Sequence, residues 1–219
     1  MRLLLFCVCV IAAGIVGAQT KVTKDNLGLV GDRFKPLTYN EMTPEQKTMV
    51  DHMLAGERGG MGGPFNVLLR SPEMGDLGQQ LGARMRFHSA LPGNVRETVI
   101  ILTARWWMSQ YEWTAHKRLA LQEGVNPAVV DAIAAGKRPA AMDPKTEVAY
   151  NFVTELYKTR QVSDATYQAA KSTFGERGVV DMIGLSGWYD IVSKALNVDR
   201  HPLPDGAQPE LKPLANPFP

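Results

Sequence analysis

The sequence predicts an all-α fold in a single compact helical domain, and three observations carry that reading. A capping residue followed by proline recurs where helices would begin, at Thr43-Pro44-Glu45-Gln46, Ser71-Pro72-Glu73, Asn126-Pro127 and Asp143-Pro144. Each such pair sets a side-chain acceptor in front of a ring whose fixed φ suits the first helical position. Glycines fall where those helices would end, at Gly56, Gly124, Gly136 and Gly175, as expected of a residue that tolerates the left-handed conformation of helix C-termini. No stretch alternates apolar and polar residues for long enough to argue a strand.

The 219-residue chain opens on a segment that reads as a signal peptide over residues 1–18. Arg2 supplies the positive start, an apolar run follows over residues 3–16, and Val16-Gly17-Ala18 offers small residues for cleavage before Gln19. That run is shorter than the roughly 20 residues that span a bilayer comfortably. Export, to a periplasm or to the medium, is therefore expected, without stable membrane insertion once the leader is removed. Cys7 and Cys9 are the only cysteines in the chain, and both lie in this leader. A mature chain without sulfhydryls has no disulfide, no thiolate metal site and no cysteine nucleophile. The remaining length of about 200 residues suits one well-buried domain.

Residues 19–40 read as a loosely ordered arm, residues 41–197 as the helical domain, and residues 198–219 as an extended, proline-rich tail. The first helix opens at Thr43 and runs to about Ala55. The five glycines within residues 56–64 forbid its continuation. The absence of a Gly-Lys-Ser/Thr ending argues against a phosphate cradle and for a lid or connector. The second helix starts at Ser71-Pro72 and carries Leu77, Leu81, Met85 and His88 on one face. Asn94 caps the next, whose Val99-Ile100-Ile101-Leu102 and Trp106-Trp107-Met108 segments make it apolar nearly all round, as a central buried helix should be. A break near Ser109 then starts a helix that carries Glu112 and His116 and ends at Gly124. Short helices follow from Asn126-Pro127 and Asp143-Pro144. Another is capped by Ser163 and closed by Gly175, and a last long one runs to about Asn197.

Charge and histidine usage bound the chemistry. A net charge of +2, with the signs interspersed, gives no electrostatic footprint for nucleic acid. The four histidines include no His-Glu-x-x-His and form no ligand set, so neither a metal nor another cofactor is expected.

The chemistry concentrates in Tyr111-Glu112-Trp113-Thr114-Ala115-His116. Glu112 and His116, four residues apart on a helix, project from one face and can share a hydrogen bond. Such a pair can hold and release a proton. Ser109-Gln110-Tyr111-Glu112 also fits a capping box, in which Ser109 and Glu112 serve only the helix start. Glu97, inside a buried helix, is costly unless paired or protonated; Arg96 and Arg105 are candidate partners. Arg84 and His88, on one helical face, can receive a substrate carboxylate or can simply complement a helix C-terminus. Tyr111 is a candidate pocket residue or a packing residue.

With Arg96-Glu97-Thr98-Val99-Ile100-Ile101-Leu102-Thr103-Ala104-Arg105 before that hexapeptide and Ala120-Leu121-Gln122-Glu123-Gly124-Val125 after it, residues 91–139 resemble the carboxymuconolactone decarboxylase family, relatives of the alkylhydroperoxidase D proteins. The resemblance extends more loosely from Gly63-Pro64-Phe65-Asn66 to Pro202-Leu203-Pro204-Asp205-Gly206. In that superfamily a Glu precedes a Cys-x-x-Cys pair and a His follows it. Aligned on His116, this chain has Glu97 at the Glu position, Ser109 at the first Cys and Glu112 at the second. The Cys-less pattern is similar to the decarboxylase-like branch.

The resemblance implies a helical domain of the alkylhydroperoxidase D-like type and a homo-oligomer, a trimer or a multiple of one. It also implies a cofactor-free carboxy-lyase, or a related acid–base enzyme, on a small carboxylated lactone or unsaturated acid. Glu97, Glu112 and His116 would be catalytic, and Arg84, His88, Ser109 and Tyr111 would contact substrate. An alternative is a non-catalytic ligand-binding protein on the same scaffold. An alkylhydroperoxidase-like antioxidant is disfavoured, because its chemistry needs paired thiols. An exported chain with a long N-terminal region also departs from the compact intracellular decarboxylases.

Overall fold

A computed structural model describes residues 22–216 and 218; the leader, its cleavage point and both cysteines lie outside the described residues. The described chain is all-helical. A single 3-10 turn at Tyr39–Glu41 precedes α1 (Pro44–Ala55), α2 (Phe65–Leu68), α3 (Pro72–His88), α4 (Gly93–Trp106), α5 (Gln110–Gln122), α6 (Pro127–Ala134), α7 (Pro144–Thr159) and α8 (Asp164–Asp199). The one extended pairing among the described residues is an isolated bridge between Thr23 and Asn26. Among the same residues, no helix is long and apolar enough to cross a membrane.

Helix starts follow the local chemistry with three exceptions, the first being Ser71, which stands at the N-cap of α3 but makes no side-chain cap hydrogen bond. Thr43 accepts from the Gln46 amide and completes a capping box, Asn126 accepts from Ala128, and Asp143 accepts from Lys145 and Thr146. Asn94 does not cap α4, which begins one residue earlier at Gly93; its amide reaches Asp143, the cap of α7, at 3.2 Å instead. Ser109 makes no side-chain hydrogen bond to α5, and its hydroxyl is buried without a partner. The capping-box reading of Ser109 and Glu112 is therefore corrected: Glu112 is committed elsewhere.

α4 is the hub. Val95 and every residue from Glu97 to Arg105 are buried, because α5, α7 and α8 all pack on it. α8 is helical on both sides of Gly175, whose φ of 70° breaks the helical path there. That conformation suits glycine because a Cβ would crowd the backbone.

α3 corrects the expected stripe. Met85 is buried, but Leu77 is 70% exposed, and Met74, Leu81 and His88 also face out. The buried face is instead made by Gly75, Gln79 and Gly82. Glycines allow it to seat against Trp188 of α8: a Cβ at Gly82 would stand 2.6 Å from the indole, and one at Gly78 would stand 2.8 Å from it. Backbone-to-indole packing replaces the leucine stripe that periodicity pointed to. On α8, Leu185, Trp188 and Leu196 are buried, whereas Val180, Ile183 and Ile191 are exposed.

The segments before and after the helices are tied down. Asp199, at the end of α8, accepts from the amides of Asp32 and Phe34 at 3.2 and 2.9 Å, which fastens the arm. Beyond Arg200 the described chain has neither helix nor strand and crosses α4 and α5. Leu211 and Phe218 are buried there, Phe218 stacks on Trp106 with centroids 5.5 Å apart, and Gln110 both donates to the Leu211 carbonyl and accepts from its amide.

Candidate active site

Two consecutive helices bring the central carboxylates to one imidazole. α4 ends at Trp106, and Met108 adopts a left-handed φ of 50°, which turns the chain so that α5 folds back along α4. The Ser109 amide closes this turn by donating to the Ala104 carbonyl at 2.9 Å. Glu97 and His116 then meet across the helix pair: Nδ1 of His116 lies 2.7 Å from Oε2 of Glu97. On the other side of the ring, Nε2 lies 3.0 Å from Oε1 of Glu112, one helical turn back on α5. All three side chains are buried.

A ring between two carboxylates donates from both nitrogens when protonated. Burial of His116 works against the charge, but Glu112 and Glu97 outweigh it and raise the imidazole from 6.5 to about 9. His116 is thus an imidazolium at neutral pH, hydrogen-bonded to Glu97 through Nδ1 and ion-paired with Glu112 at Nε2. Glu112 lies in the first turn of α5, where the helix dipole also favours a negative charge. Behind Glu97, Arg96 Nε stands 3.8 Å from Oε1. Arg96 is thus Glu97's arginine partner, while Arg105 turns to the tail and donates to the Lys212 carbonyl at 2.9 Å.

The series opens on a cavity of about 290 Å³ lined by Glu112, His116, Tyr111, Arg58, Arg86 and Tyr189, among others. Glu97 is not in the lining and backs His116 from behind. Tyr189 sets its ring edge-on to the His116 ring, with centroids 5.0 Å apart and planes at 81°. Burial, reinforced by Glu112 and Glu97, pushes the Tyr189 phenol well above its ordinary range, so it stays a neutral hydroxyl. Trp188, Phe65 and the glycine-rich backbone at Gly60, Gly62 and Gly63 complete the walls.

The cations of this cavity are not those that helical spacing singled out. Arg84 and His88 line a separate cleft between α1 and α3, where His88 Nε2 pairs with Glu57 Oε1 at 2.7 Å. Arg86 lies two residues from each, and two residues at about 100° apiece rotate it to a different face of α3. Ser109 lines another cleft, between the start of α5 and the tail, which shares Tyr111 with the main cavity. Tyr111 packs edge-on to His201, with centroids 4.4 Å apart.

Motif spacing and helical periodicity point to neither Arg58 nor Tyr189, which line the cavity. The signal for Arg58 was present: a lone arginine in a segment with five glycines is a charged group on a backbone that other atoms can approach closely. Tyr189 carried no such signal, since an aromatic on a helix is ordinarily core.

No group of three or more His, Cys, Asp or Glu side chains among the described residues is arranged to hold a metal ion. No protein-family model matches the chain, and the search of curated proteins returns no match.

Proposed function

We propose that this protein is an acid–base enzyme, a cofactor-free carboxy-lyase or a close mechanistic relative, acting on a small carboxylated lactone or unsaturated acid. The carrying observation is the series Glu97–His116–Glu112, hydrogen-bonded at Glu97 and ion-paired at Glu112, which is buried at one end and meets a cavity at the other. The reaction class rests on the resemblance to the carboxymuconolactone decarboxylase family. That resemblance also underlies an alkylhydroperoxidase D-like assignment of the helical domain and assembly into a trimer or a multiple of one, whereas export rests on the leader at residues 1–18. The exposed Met74, Leu77 and Leu81 of α3 and the exposed Val180, Ile183 and Ile191 of α8 support assembly, because such apolar surface favours a partner over water.

In this mechanism the bond between substrate carbon and carboxylate breaks, carbon dioxide leaves, and the electron pair passes into a conjugated enolate. The enolate then takes a proton at carbon. Both nitrogens of His116 are engaged, so its proton reaches substrate by way of Glu112, which lines the cavity. Glu97 holds the imidazolium in place, and solvent restores the proton. The cationic groups of the cavity stabilise the enolate as charge develops.

The test is a screen of carboxylated lactones and β-keto acids for carbon dioxide release, run on wild type beside Glu112→Gln and His116→Gln. A loss on the order of 10²–10⁴-fold in the variants is expected. Equal release by all three proteins would remove the series from the mechanism. No release by wild type across the panel would favour the ligand-binding protein instead.

A further inference from the structure

Arg58 stands out in the cavity wall because one edge of its guanidinium has no hydrogen-bond partner. Its Nε and Nη2 atoms are buried and make no hydrogen bond. These two atoms form one edge of the guanidinium, with two parallel N–H groups spaced to meet the two oxygens of a carboxylate. The plane of the group is already oriented, since Cζ stacks 4.9 Å from the centroid of the Phe65 ring. Stacking leaves the edge available while limiting the rotamers that a ligand would have to freeze.

The surroundings concentrate positive charge. Burial lowers the Arg58 guanidinium from its ordinary value; Tyr189 and Glu112 partly oppose that shift, while the nearby charge of Arg86 adds to it, so the two cations sense each other across the cavity. Arg86, with its Cζ 5.4 Å from the Phe87 ring centroid, also lines the space. Of the charged side chains that line the cavity, Arg58, Arg86 and imidazolium His116 are cationic and only Glu112 is anionic, while Glu97 behind the ring is offset by Arg96, so the wall carries an excess of positive charge. Two like charges held in a partly buried wall are unfavourable until an anion lies between them. The loop that carries Arg58 is anchored from its outer side, where the adjacent Glu57 pairs with His88 of α3 at 2.7 Å.

We propose that Arg58, aided by Arg86, is the anchoring subsite for a carboxylate that the substrate keeps through the reaction, so the substrate class is small organic acids with a second anionic group. This deepens the acid–base proposal and rests on that reading for which end of the substrate reacts. A carboxylate gripped by an arginine edge is stabilised as the anion, and its loss as carbon dioxide would forfeit that grip. The reacting carboxylate therefore lies at the Glu112 end, where no free guanidinium edge meets it. Arg58 and Arg86 are binding and specificity-determining residues.

The experiment is calorimetric titration, near neutral pH, of wild type, Arg58→Gln, Arg86→Gln and Glu112→Gln with linear dicarboxylates from succinate to adipate and with their neutral dimethyl esters. Wild type should bind at least one diacid and none of the esters. Arg58→Gln should weaken that binding about 10- to 100-fold, as expected for loss of a charge-assisted pair of hydrogen bonds, with an unchanged thermal melt. Glu112→Gln should bind at least as tightly as wild type, because it removes a negative charge from the wall. Equal affinity in Arg58→Gln, ester binding that matches the diacid, or no diacid binding by wild type would overturn the subsite. Diacid binding that depends on Arg58, together with carbon dioxide release that is indifferent to Glu112, would sink the acid–base reading and leave the subsite standing.

Discussion

Nδ1 of His116 lies 2.7 Å from Oε2 of Glu97, a contact between buried side chains nineteen residues apart in the chain. It exists because Met108 turns α5 back along α4 and gives one imidazole a second carboxylate in addition to its helical neighbour Glu112. Glu97→Gln keeps a hydrogen-bonding oxygen but removes the charge. The variant should lower the His116 pKa and shift the alkaline limb of any pH–rate profile downward. A profile that superimposes on wild type would show that Glu97 has no part in holding the proton.

Stability should fall in alkali because of this same imidazole. Its folded pKa is about 9, raised from 6.5. A group raised on folding contributes stability that is fully present below the unfolded value and is lost as pH rises through the folded one. The decline should therefore run from about pH 6.5 to somewhat above 9. Denaturant titrations across that range should show it in wild type and not in His116→Gln. Parallel curves for the two proteins would contradict the pairing.

Met108 holds a left-handed φ of 50° in the turn between α4 and α5. That conformation costs a β-carbon residue about 1–2 kcal/mol. Met108→Gly should be neutral or slightly stabilising, since relief of strain offsets the greater freedom of the unfolded chain. Met108→Val should destabilise by about 1 kcal/mol or more, because a branched side chain tolerates the left-handed region worst. Chemical denaturation of the two variants decides it, and equal stabilities would mean that the turn relaxes.

Gly82→Ala should damage the cavity from behind. The added methyl would sit 2.6 Å from the Trp188 ring, which also forms part of the cavity wall. Overpacking of this kind costs about 1–3 kcal/mol. Displacement of the indole should also change intrinsic tryptophan fluorescence and weaken ligand binding. An unchanged melt and spectrum would indicate that α3 and α8 separate freely there.

The exposed leucines of α3 test assembly. Leu77 is 70% exposed and Leu81 is 41% exposed, so replacing either with Glu should cost little within one chain. If this face joins copies, Leu77→Glu with Leu81→Glu should lower the mass measured by light scattering to that of one chain. A wild-type protein that is already monomeric at micromolar concentration would refute the oligomer.

What is legible in the order of residues is what short-range physics controls. Capping residues before prolines and glycines at helix ends place most of the helices, because a helix start or stop needs partners only within a turn. The Glu112–His116 pair was legible for the same reason, being one turn apart on one helix. The central position of α4 followed from its apolar residues all round. Packing across the molecule decided the rest. Ser109 looks like a cap, yet Glu112 is drawn to His116, whose second carboxylate comes from another helix. Leu77 and Leu81 look like a core stripe, yet Gly75, Gly78 and Gly82 let α3 approach more closely on the opposite side, against Met49 and Trp188. Arg84 and His88 share a face, but that face looks away from the cavity, and the arginine edge left free in its wall belongs to Arg58 in the glycine loop. Periodicity specifies which side chains share a face of one helix; only the way helices and loops close around one another specifies what each face meets.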